Sequence, residues 1–379
     1  MAQLFITGML RSGTTLIQTL LTNHPQLFVG YQPFYQFYLE CKQRFLDIQG
    51  INRFLPLGDG LEDSLELRSQ LNQWLEEYVY SEVDVATLMA SATQAKGGGA
   101  RELDGLLHCE SGTFIDLHAE IHHTLASRYK PEAKLIGAKE VLCEEYVSAL
   151  VAQGLRCLII IRDPRAVIAS ASFGRYRDSV GDRYPILMLI RLWRKSAAYW
   201  LKFQTHPLVH VLRYEDLVAH PTEELEKIRM WLELSPFLSD LINQPLKDHR
   251  GQLWKGNSSF EDKHSVQAFS VESWKTLLRN DEISLIEACT MLEMRALGYE
   301  PINTGSVDSI EDFVEDIYQV RHNYLEYYEM NNTNKTLELQ RCEFASANNY
   351  VNPPQAPGLF LFPEVFQQDS PHPAPVGRI

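Results

Sequence analysis

Two short stretches of the sequence combine residue types that bind phosphate groups. The first, LFITGMLRSGTTLIQTL, begins at Leu4 and has the spacing of a phosphate-binding loop, with glycines at positions 8 and 13. In the nucleoside triphosphate form of this loop, the residue after the second glycine is a lysine that reaches the terminal phosphates. Thr14 occupies that position here, and the cation is Arg11, three residues earlier. The stretch predicts a phosphate site without the usual contact to a γ-phosphate.

Backbone chemistry supports this interpretation of the loop. Gly8 and Gly13 allow a tight turn, and an apolar-periodic helix is expected to begin at Thr14. The first N–H groups of a helix have no partner within it, and the helix dipole favours negative charge at that end. Ser12, Thr14 and Thr15 add hydroxyl groups. We therefore expect residues 11–15 to bind an anion.

The second stretch is RDPRAVIAS, from Arg162 to Ser170. Asp163 is a plausible N-cap and Pro164 suits a first helical turn, so Arg162 is expected at the end of a strand. Ser170 then lies about two turns into the following helix, where its hydroxyl and the guanidinium could bind one phosphate. Two phosphate sites fit a nucleotide that carries phosphate at both its 5′ and 3′ positions.

The sequence around these residues predicts an α/β protein with a parallel sheet. Near-continuous apolar runs alternate with helical patterns, as strands covered on both faces require. In such sheets, ligands bind at the carboxyl ends of the strands, where both phosphate-binding stretches are expected. The predicted strands are Leu4–Thr7, Lys134–Ala138, Arg156–Arg162 and Leu208–Arg213.

Composition narrows the class of protein. The chain has 379 residues and a net charge of −14, which argues against nucleic acid as the main partner. The sequence has no run of about 18 apolar residues, so no membrane span is predicted. The first residues lack the basic region of a signal peptide. Six scattered cysteines without a C-x-x-C pair indicate reduced thiols. A cytoplasmic protein is expected.

Positive charge concentrates in one part of this acidic chain. Residues 156–195 contain eight arginines and one lysine against three aspartates. A solvated basic face is one interpretation. A local anion site explains the contrast better, because the stretch includes Arg162 and Ser170.

The sequence changes character near residue 301, and a main domain is expected over residues 1–301. Within it, a helical insertion of about residues 35–130 is expected to cap the acceptor pocket, or to form a purely structural layer. Residues 302–379 are expected to form a helix at Ile310–Asn331 and a proline-rich tail. The apolar cluster Leu359–Phe362 suggests that this tail packs on the main domain, with disorder as the alternative.

At this point the chain resembles the sulfotransferases that use 3′-phosphoadenosine-5′-phosphosulfate (PAPS), in particular bacterial-type members. Their 5′-phosphosulfate motif is matched by Arg11-Ser12-Gly13-Thr14-Thr15, and their 3′-phosphate motif by Arg162 and Ser170. Further matches are RYEDL from Arg213, WKGNSSF from Trp254 and ALGYEP from Ala296. The motifs occur in the family's order over roughly residues 3–301.

The resemblance implies a three-layer α/β sandwich with a central parallel sheet and a P-loop-like nucleotide site. It implies in-line transfer of a sulfuryl group to a hydroxyl or amine of a small-molecule or carrier-bound acceptor, with release of 3′-phosphoadenosine-5′-phosphate (PAP). Arg11 would stabilise the leaving oxygen, and no metal is required. The residues expected to bind the nucleotide are Arg11, Ser12, Gly13, Thr14, Thr15, Arg162, Ser170, Tyr214, Trp254, Lys255, Gly256 and Asn257.

The catalytic base is where the sequence departs from the family. Many members place a glutamate about twenty residues after the loop cation, where this chain has Gln32, which cannot act as a general base. Cytosolic members use a histidine after a K-T-H strand end, and the equivalent stretch suggests Glu140 as the base. An ordinary salt-bridged surface glutamate is the alternative. Reserve candidates are His108, His118 and His122.

Other residues invite different interpretations. Leu16 replaces the family's aromatic, so adenine stacking is expected at Trp254 or Tyr214. His118 and His122 are four apart, but no third zinc ligand is evident. The aromatic residues of LWRKSAAYW and Cys157 are expected in the core.

Two rival functions remain open at this stage. The first is a P-loop small-molecule kinase, which Thr14 disfavours because the phosphate-binding lysine is missing. The second is a catalytically inactive nucleotide-binding relative, which Gln32 keeps open.

Overall fold

The computed structural model of the chain describes residues 2–32, 35–51, 61, 64–94, 110–174, 186–237, 241, 244–254, 271–303, 332–347 and 359–366. The chain divides into two compact units, each assembled from three segments. The first unit comprises Met1–Phe54, Glu66–Ile161 and Gln204–Phe269. The second comprises Leu55–Leu65, Arg162–Phe203 and Ser270–Ile379.

The first unit contains a five-stranded sheet in which all neighbouring strands are parallel. The strand order is β2-β5-β1-β6-β7. This arrangement confirms the predicted α/β class with a central parallel sheet. The strands are β1 (Ala2–Gly8), β2 (Leu27–Tyr31), β5 (Leu135–Lys139), β6 (Arg156–Ile161) and β7 (Val209–Arg213).

Continuous apolar sequence explains why these strands form the core. Every residue of β5 is buried, and so are the last five residues of β1 and of β6. The four predicted strands all appear, with ends that differ by at most two residues. The edge strand β2 was not predicted, because its five residues LFVGY follow directly on a helix and include a glycine.

Helices of the first unit connect and cover the strands. Helix α1 packs on β1 and β2, α5 on β2 and β5, and α6 on β6. A short antiparallel pair, β3 (Val79–Tyr80) with β4 (Gly112–Thr113), lies within the predicted insertion. The helices are α1 (Thr14–Thr22), α2 (Tyr35–Ile48), α3 (Leu65–Glu77), α4 (Glu82–Gln94), α5 (Phe114–Tyr129), α6 (Val147–Ala152), α9 (Tyr214–Ala219) and α10 (Pro221–Leu232).

The second unit is helical where the structure describes it. Helix α7 contacts α8, α11 and α12, and α12 also contacts α8 and α13. Leu359 and Phe360 pack against Leu292 of α12. The predicted helix at Ile310–Asn331 lies outside the described residues. The helices are α7 (Pro164–Phe173), α8 (Ile186–Phe203), α11 (Trp274–Leu277), α12 (Asn280–Ala296) and α13 (Asn332–Ala347).

Several predictions about the core are confirmed. Trp193, Tyr199 and Trp200 on α8 are all buried, and Cys157 on β6 is fully buried. The cysteines that the structure describes, at positions 41, 143, 157, 289 and 342, are free thiols.

Candidate functional site

The loop between β1 and α1 is shaped by two glycines that no other residue could replace without strain. A Cβ atom at Gly8 would lie 2.3 Å from the backbone oxygen of Ile160, and φ at Gly8 is +154°. At Gly13, φ is +97° and a Cβ atom would lie 2.4 Å from the Tyr214 ring. Both positions therefore require glycine for space as well as for backbone conformation.

Hydrogen bonds within the loop hold it in a tight turn ahead of α1. The backbone N–H of Ser12 donates to the Met9 carbonyl at 3.2 Å, and the Ser12 hydroxyl donates to the same carbonyl at 2.5 Å. Ser12 is fully buried. Because its hydroxyl is committed to the turn, Ser12 shapes the loop through its side chain.

Helix α1 starts directly after this turn, with Gly13 as its N-cap and no acidic residue in its first turn. Thr14 and Thr15 are its first two residues, and both are buried. The helix dipole and the first-turn N–H groups favour an anion at this end. Gly13, Thr14 and Thr15 are thus placed as the sequence predicted for binding a phosphate.

Tyr214 is brought to the loop by the neighbouring part of the sheet. It is the first residue of α9, directly after β7, and it is buried. The close approach of its ring to Gly13 explains how a residue two hundred positions away belongs with the loop. Tyr214 therefore lies beside the loop, and its contact with a nucleotide stays a prediction.

Strained backbone conformations concentrate at the carboxyl edge of the sheet. Among the described residues, four that are not glycine have positive φ. Three of these follow the ends of neighbouring strands: Arg11 after β1 (φ 65°), Gln32 after β2 (42°) and Leu142 after β5 (60°). Such conformations cost about 1–3 kcal/mol each and tend to cluster at functional sites.

Gln32 is joined to the end of β5 by two hydrogen bonds. Its backbone N–H donates to the Lys139 carbonyl at 3.0 Å, and its side-chain Oε1 accepts from Lys139 Nζ at 2.9 Å. The ammonium group also lies 4.0 Å from the centroid of the Tyr31 ring. The side chain at the family's glutamate position therefore contacts a lysine, which sequence reasoning missed.

The environment of Lys139 lowers its pKa. The side chain is only 1% exposed. Burial lowers the pKa from 10.5 to about 7; Glu140 raises it and Arg11 lowers it, both through their charges. Arg11, Lys139 and Glu140 are thus electrostatic neighbours at the carboxyl edge of the sheet.

Glu140 follows β5 and is fully buried. The alternative that it is an ordinary surface glutamate is therefore wrong, because the sheet continues around it: its N–H donates to the Ile6 carbonyl at 2.8 Å. Its charge also raises the pKa of the buried Tyr38 on α2, after the larger effect of burial. Its role as the base stays a prediction.

Two of the reserve histidines lie far from the loop. Nδ1 of His118 is 2.9 Å from Oε1 of Gln3, near the start of β1, whereas the loop follows the end of that strand. Five residues of strand separate Gln3 from Gly8, roughly 16 Å. The rings of His118 and His122 are 4.0 Å apart, and burial lowers the pKa of His122 to about 4. Neither is placed to serve the loop, and His108 lies outside the described residues.

The predicted 3′-phosphate residues belong to the second unit. Arg162 directly follows β6, and its carbonyl accepts a hydrogen bond from Trp193 Nε1 at 2.8 Å. Asp163 caps α7 by accepting from the Arg165 N–H, with Pro164 in the first turn, as predicted. Ser170 lies on α7 and is buried. These contacts fix the backbone on which Arg162 and Ser170 are carried.

The basic stretch at residues 156–195 includes five arginines that the structure describes, at positions 156, 162, 165, 191 and 194. Four of its arginines form ion pairs with carboxylates that lie beyond the stretch. These pairs are Arg156–Glu233, Arg165–Glu287, Arg191–Glu338, Arg194–Glu338 and Arg194–Glu293. The charge of these four arginines is thus balanced by carboxylates from other parts of the sequence, and the anion site at Arg162 and Ser170 stays a prediction.

Trp254 is buried and directly follows a short antiparallel bridge between Lys247 and Leu253. Its N–H donates to the Leu246 carbonyl at 2.8 Å. Lys247 in the same segment is hydrogen-bonded to Asn23, just beyond the last turn of α1. Lys255, Gly256 and Asn257 lie outside the described residues, so their role in binding the nucleotide stays a prediction.

The part of the chain that carries the loop matches the model of a known protein family. A family model described as "Sulfotransferase family" matches residues 3–103. That segment contains Arg11, Gly13 and Gln32. The match agrees with the resemblance to sulfotransferases that the motifs indicate, over about the first quarter of the chain. No curated protein matches the chain.

Solved structures of similar fold include three described as sulfotransferases. The sulfotransferase domain from the curacin biosynthetic pathway is 19% identical, with 79% of this chain and 98% of that one covered and a TM-score of 0.45. The corresponding domain of the Synechococcus PCC 7002 olefin synthase is 18% identical, with 79% and 95% covered and a TM-score of 0.47. Mouse sulfotransferase SULT7A1 complexed with PAP is 12% identical, with 78% and 85% covered and a TM-score of 0.40.

Within the described parts of the chain, no helix has the length and apolar character needed to cross a membrane.

Proposed function

We propose that this protein transfers the sulfuryl group of PAPS to a hydroxyl or amine of a small-molecule or carrier-bound acceptor. The observation that carries the proposal is the loop at residues 8–15. It combines two glycines in positions closed to other residues, a helix N-terminus and Arg11, and it lies within the segment that the sulfotransferase family model matches. A bound phosphosulfate suits this combination, because its charge needs N–H donors and a cation together.

The loop residues would divide the work of binding and catalysis. The backbone of Gly13, Thr14 and Thr15 would hold the 5′-phosphate at the start of α1. Arg11 would lie beside the bridging oxygen, where its charge stabilises the negative charge that develops as the sulfur–oxygen bond breaks. PAPS supplies the activated sulfuryl group. Tyr214 would contact the nucleotide, and the closeness of its ring to Gly13 supports this role.

The 3′-phosphate is proposed to bind Arg162 and Ser170. Support comes from their position at the start of the chain segment after β6, the strand next to β1 in the sheet. Arg162→Ala should weaken PAP binding by about 10-fold or more, since a charge-assisted contact contributes roughly 1.5–3 kcal/mol. It should weaken binding of adenosine 5′-phosphate, which lacks the 3′-phosphate, by a much smaller factor. Calorimetric titration measures both, and equal losses would contradict this placement.

A nucleotide panel distinguishes the proposal from the kinase alternative. PAP at one hundred times its dissociation constant should stabilise the protein by about 2.7 kcal/mol, seen as a rise in thermal midpoint. ATP should stabilise it far less, because no lysine follows Gly13. Stabilisation by ATP alone would contradict the sulfotransferase proposal.

An activity assay distinguishes the proposal from an inactive relative. Radiolabelled PAPS is incubated with the full chain and a panel of simple alcohols, phenols and amines, and labelled products are separated from the donor. Transfer to at least one acceptor is expected. A chain that binds PAP yet transfers sulfate to no member of the panel would favour the inactive relative.

A further inference from the structure

The pairing of Lys139 with Gln32 is the feature of the described site that the family comparison does not explain. Lys139 Nζ donates to Gln32 Oε1 at 2.9 Å and lies over the Tyr31 ring. The Gln32 N–H in turn donates to the Lys139 carbonyl. The amide is therefore held by its backbone as well as its side chain, and it fixes the direction of the amine.

The pair lies at the same edge of the sheet as the loop. Lys139 ends β5, which is hydrogen-bonded to β2 on one side and to β1 on the other, with Tyr31 and Ile6 as its partners. The loop that carries Arg11 leaves the same edge of the sheet. The charged groups that act on Lys139 are Arg11 and Glu140.

The side-chain amine at this position is poised to exchange a proton. It is shielded from bulk water, and its pKa is lowered to about 7, so that a large fraction is neutral near physiological pH. A general base works best when its pKa lies near the operating pH. Gln32 occupies one hydrogen of the amine and cannot itself take a proton.

We propose that Lys139, as a neutral amine oriented by Gln32, removes the proton from the acceptor in the sulfuryl transfer. The inference rests on the proposed function. The acceptor oxygen or nitrogen forms a bond to sulfur while the bond from sulfur to the bridging oxygen breaks. That electron pair stays on the 5′-phosphate of PAP, and the acceptor proton goes to Lys139 Nζ, which becomes an ammonium group.

Glu140 is less well placed for this step. Successive residues of a strand point to opposite faces of the sheet, so Glu140 shares its face with Ala138 and, across the register, with Phe5. The Phe5 ring lies 5.6 Å from that of Tyr38, and Glu140 influences the same tyrosine. Glu140 therefore faces the core beneath α2, on the opposite side of the sheet from Lys139. From there its charge raises the pKa of Lys139.

The first experiment titrates Lys139 directly in the full-length protein. The side-chain nitrogens of all lysines are isotope-labelled, and the Lys139 resonance is assigned as the one missing from Lys139→Met. The expected titration midpoint is about 7, against roughly 10.4 for ordinary lysines. A midpoint above about 9.5 would overturn the inference, whatever the enzyme's acceptor.

The second experiment measures transfer from radiolabelled PAPS to the acceptor panel. Lys139→Met and Lys139→Arg should each lower kcat/KM by about 100-fold to 10,000-fold, the usual contribution of a general base. Stabilisation by PAP should persist in both variants. The matched control is Lys134→Met, an exposed lysine that precedes the opposite end of β5, which should change neither quantity.

The pH profile separates Lys139 from the carboxylate candidates. In the wild type, kcat/KM should fall below about pH 7. Glu140→Gln should move this limb to lower pH, because it removes a charge that raises the pKa of Lys139. Gln32→Glu should move it to higher pH and lower activity at neutral pH, because a carboxylate stabilises the ammonium form.

The contrary outcomes are equally distinct. An active Lys139→Met enzyme that retains the acid limb would overturn the inference and leave the proposed function intact. Increased activity of Gln32→Glu at neutral pH would overturn it too, since a carboxylate base would then be the better catalyst. Absence of transfer by the wild type would remove the proposed function, and the inference with it.

Discussion

At the scale of single residues, the loop and the proposed nucleotide site depend on the absence of a side chain at Gly13. Gly13→Ala would place a Cβ atom 2.4 Å from the Tyr214 ring at a φ of +97°. We expect a loss of about 2–4 kcal/mol in the free energy of unfolding, from strain and steric overlap together. PAP binding should weaken as the turn shifts. Chemical denaturation and calorimetric titration measure the two effects.

Gly154→Ala is the matched control for this substitution. Gly154 has a φ of +80°, but nothing lies within 4 Å of the position that its Cβ would take. Its substitution should cost only the backbone strain, about 1 kcal/mol, and leave PAP binding unchanged. Equal losses at Gly13 and Gly154 would show that contact with Tyr214 is unimportant.

Lys139 should also make stability depend on pH, independently of any acceptor. Its folded pKa of about 7 lies below its unfolded value of 10.5, so the unfolded chain binds more protons between these limits. The free energy of unfolding of the wild type relative to Lys139→Met should therefore rise with pH across this window, by up to roughly 1.4 kcal/mol per pH unit. Denaturant unfolding at about pH 7.5, 8.5 and 9.5 measures the slope.

The corresponding control is again Lys134→Met, which replaces an exposed lysine just before the opposite end of β5. If the wild type and Lys139→Met lost stability in parallel at all three pH values, Lys139 would have an ordinary pKa in the folded protein.

The sequence pointed to the loop residues but not to the contact between Lys139 and Gln32, for a physical reason. Arg11 to Thr15 are consecutive, so their spacing alone defines a turn and a helix start. Lys139 and Gln32 are 107 positions apart and meet only because β2 pairs with β5. The strand β2 was itself unpredicted, and the contact could not be foreseen without it.

At the scale of elements, a buried carboxylate on α13 forms ion pairs with arginines of α8 in the second unit. Glu338 on α13 is fully buried and lies 3.1 Å from Arg191 and 2.6 Å from Arg194 on α8. Arg341 is a third partner at 2.6 Å. Burial alone would raise the pKa of Glu338, but the three arginines hold it at about 2. The carboxylate therefore stays charged well into the acid range.

Glu338→Gln should be strongly destabilising. It leaves buried guanidinium groups without their counter-charge, and breaking such a pair typically costs about 3–5 kcal/mol. Because the pKa is lowered in the fold, this contribution is full above about pH 4.5 and lost as the pH falls towards about 2. Denaturation at neutral and acid pH measures the difference.

Glu272→Gln provides the comparison for an exposed ion pair. Glu272 contacts Lys275 at 2.6 Å, but both side chains are largely exposed. We expect a change below about 0.5 kcal/mol at either pH. A Glu338→Gln variant as mild as this control would show that the arginines find other partners.

The elements themselves were largely predictable where the apolar pattern was long. The continuous runs of β1, β5 and β6 predicted those strands closely. The ion pairs that neutralise the basic stretch were not predictable, because Glu287, Glu293 and Glu338 are about 100 or more residues from their arginines in sequence. A charge count over a short stretch includes the arginines but leaves out carboxylates that are distant in sequence and close in the fold.

At the scale of the whole molecule, the segment 359–366 contributes to the core of the second unit. Leu359 and Phe360 pack with Leu292, and the ring of Phe362 lies 5.2 Å from that of Tyr199 on α8. A chain shortened to residue 347 should lose several kcal/mol of stability, since each large side chain contributes about 1.5–3 kcal/mol when buried.

Thermal unfolding of the shortened chain measures this loss, and PAP binding should persist if the loop remains folded. Phe360→Ala gives a smaller version of the same change, about 3–5 kcal/mol at a fully packed site and less here because some surface is exposed. An unchanged melting temperature for the shortened chain would show that the segment does not stabilise the unit.

The position of β1 in the sheet has a consequence for synthesis of the protein. β1 is the first strand of the sequence yet lies at the sheet's centre, and its partners begin only at Leu135 and Arg156. At about 5–20 residues per second, the ribosome needs roughly 7–30 seconds to supply them. During that interval the apolar residues 4–6 and the nascent nucleotide loop have no sheet to join, so the emerging chain should be a substrate for ribosome-associated chaperones.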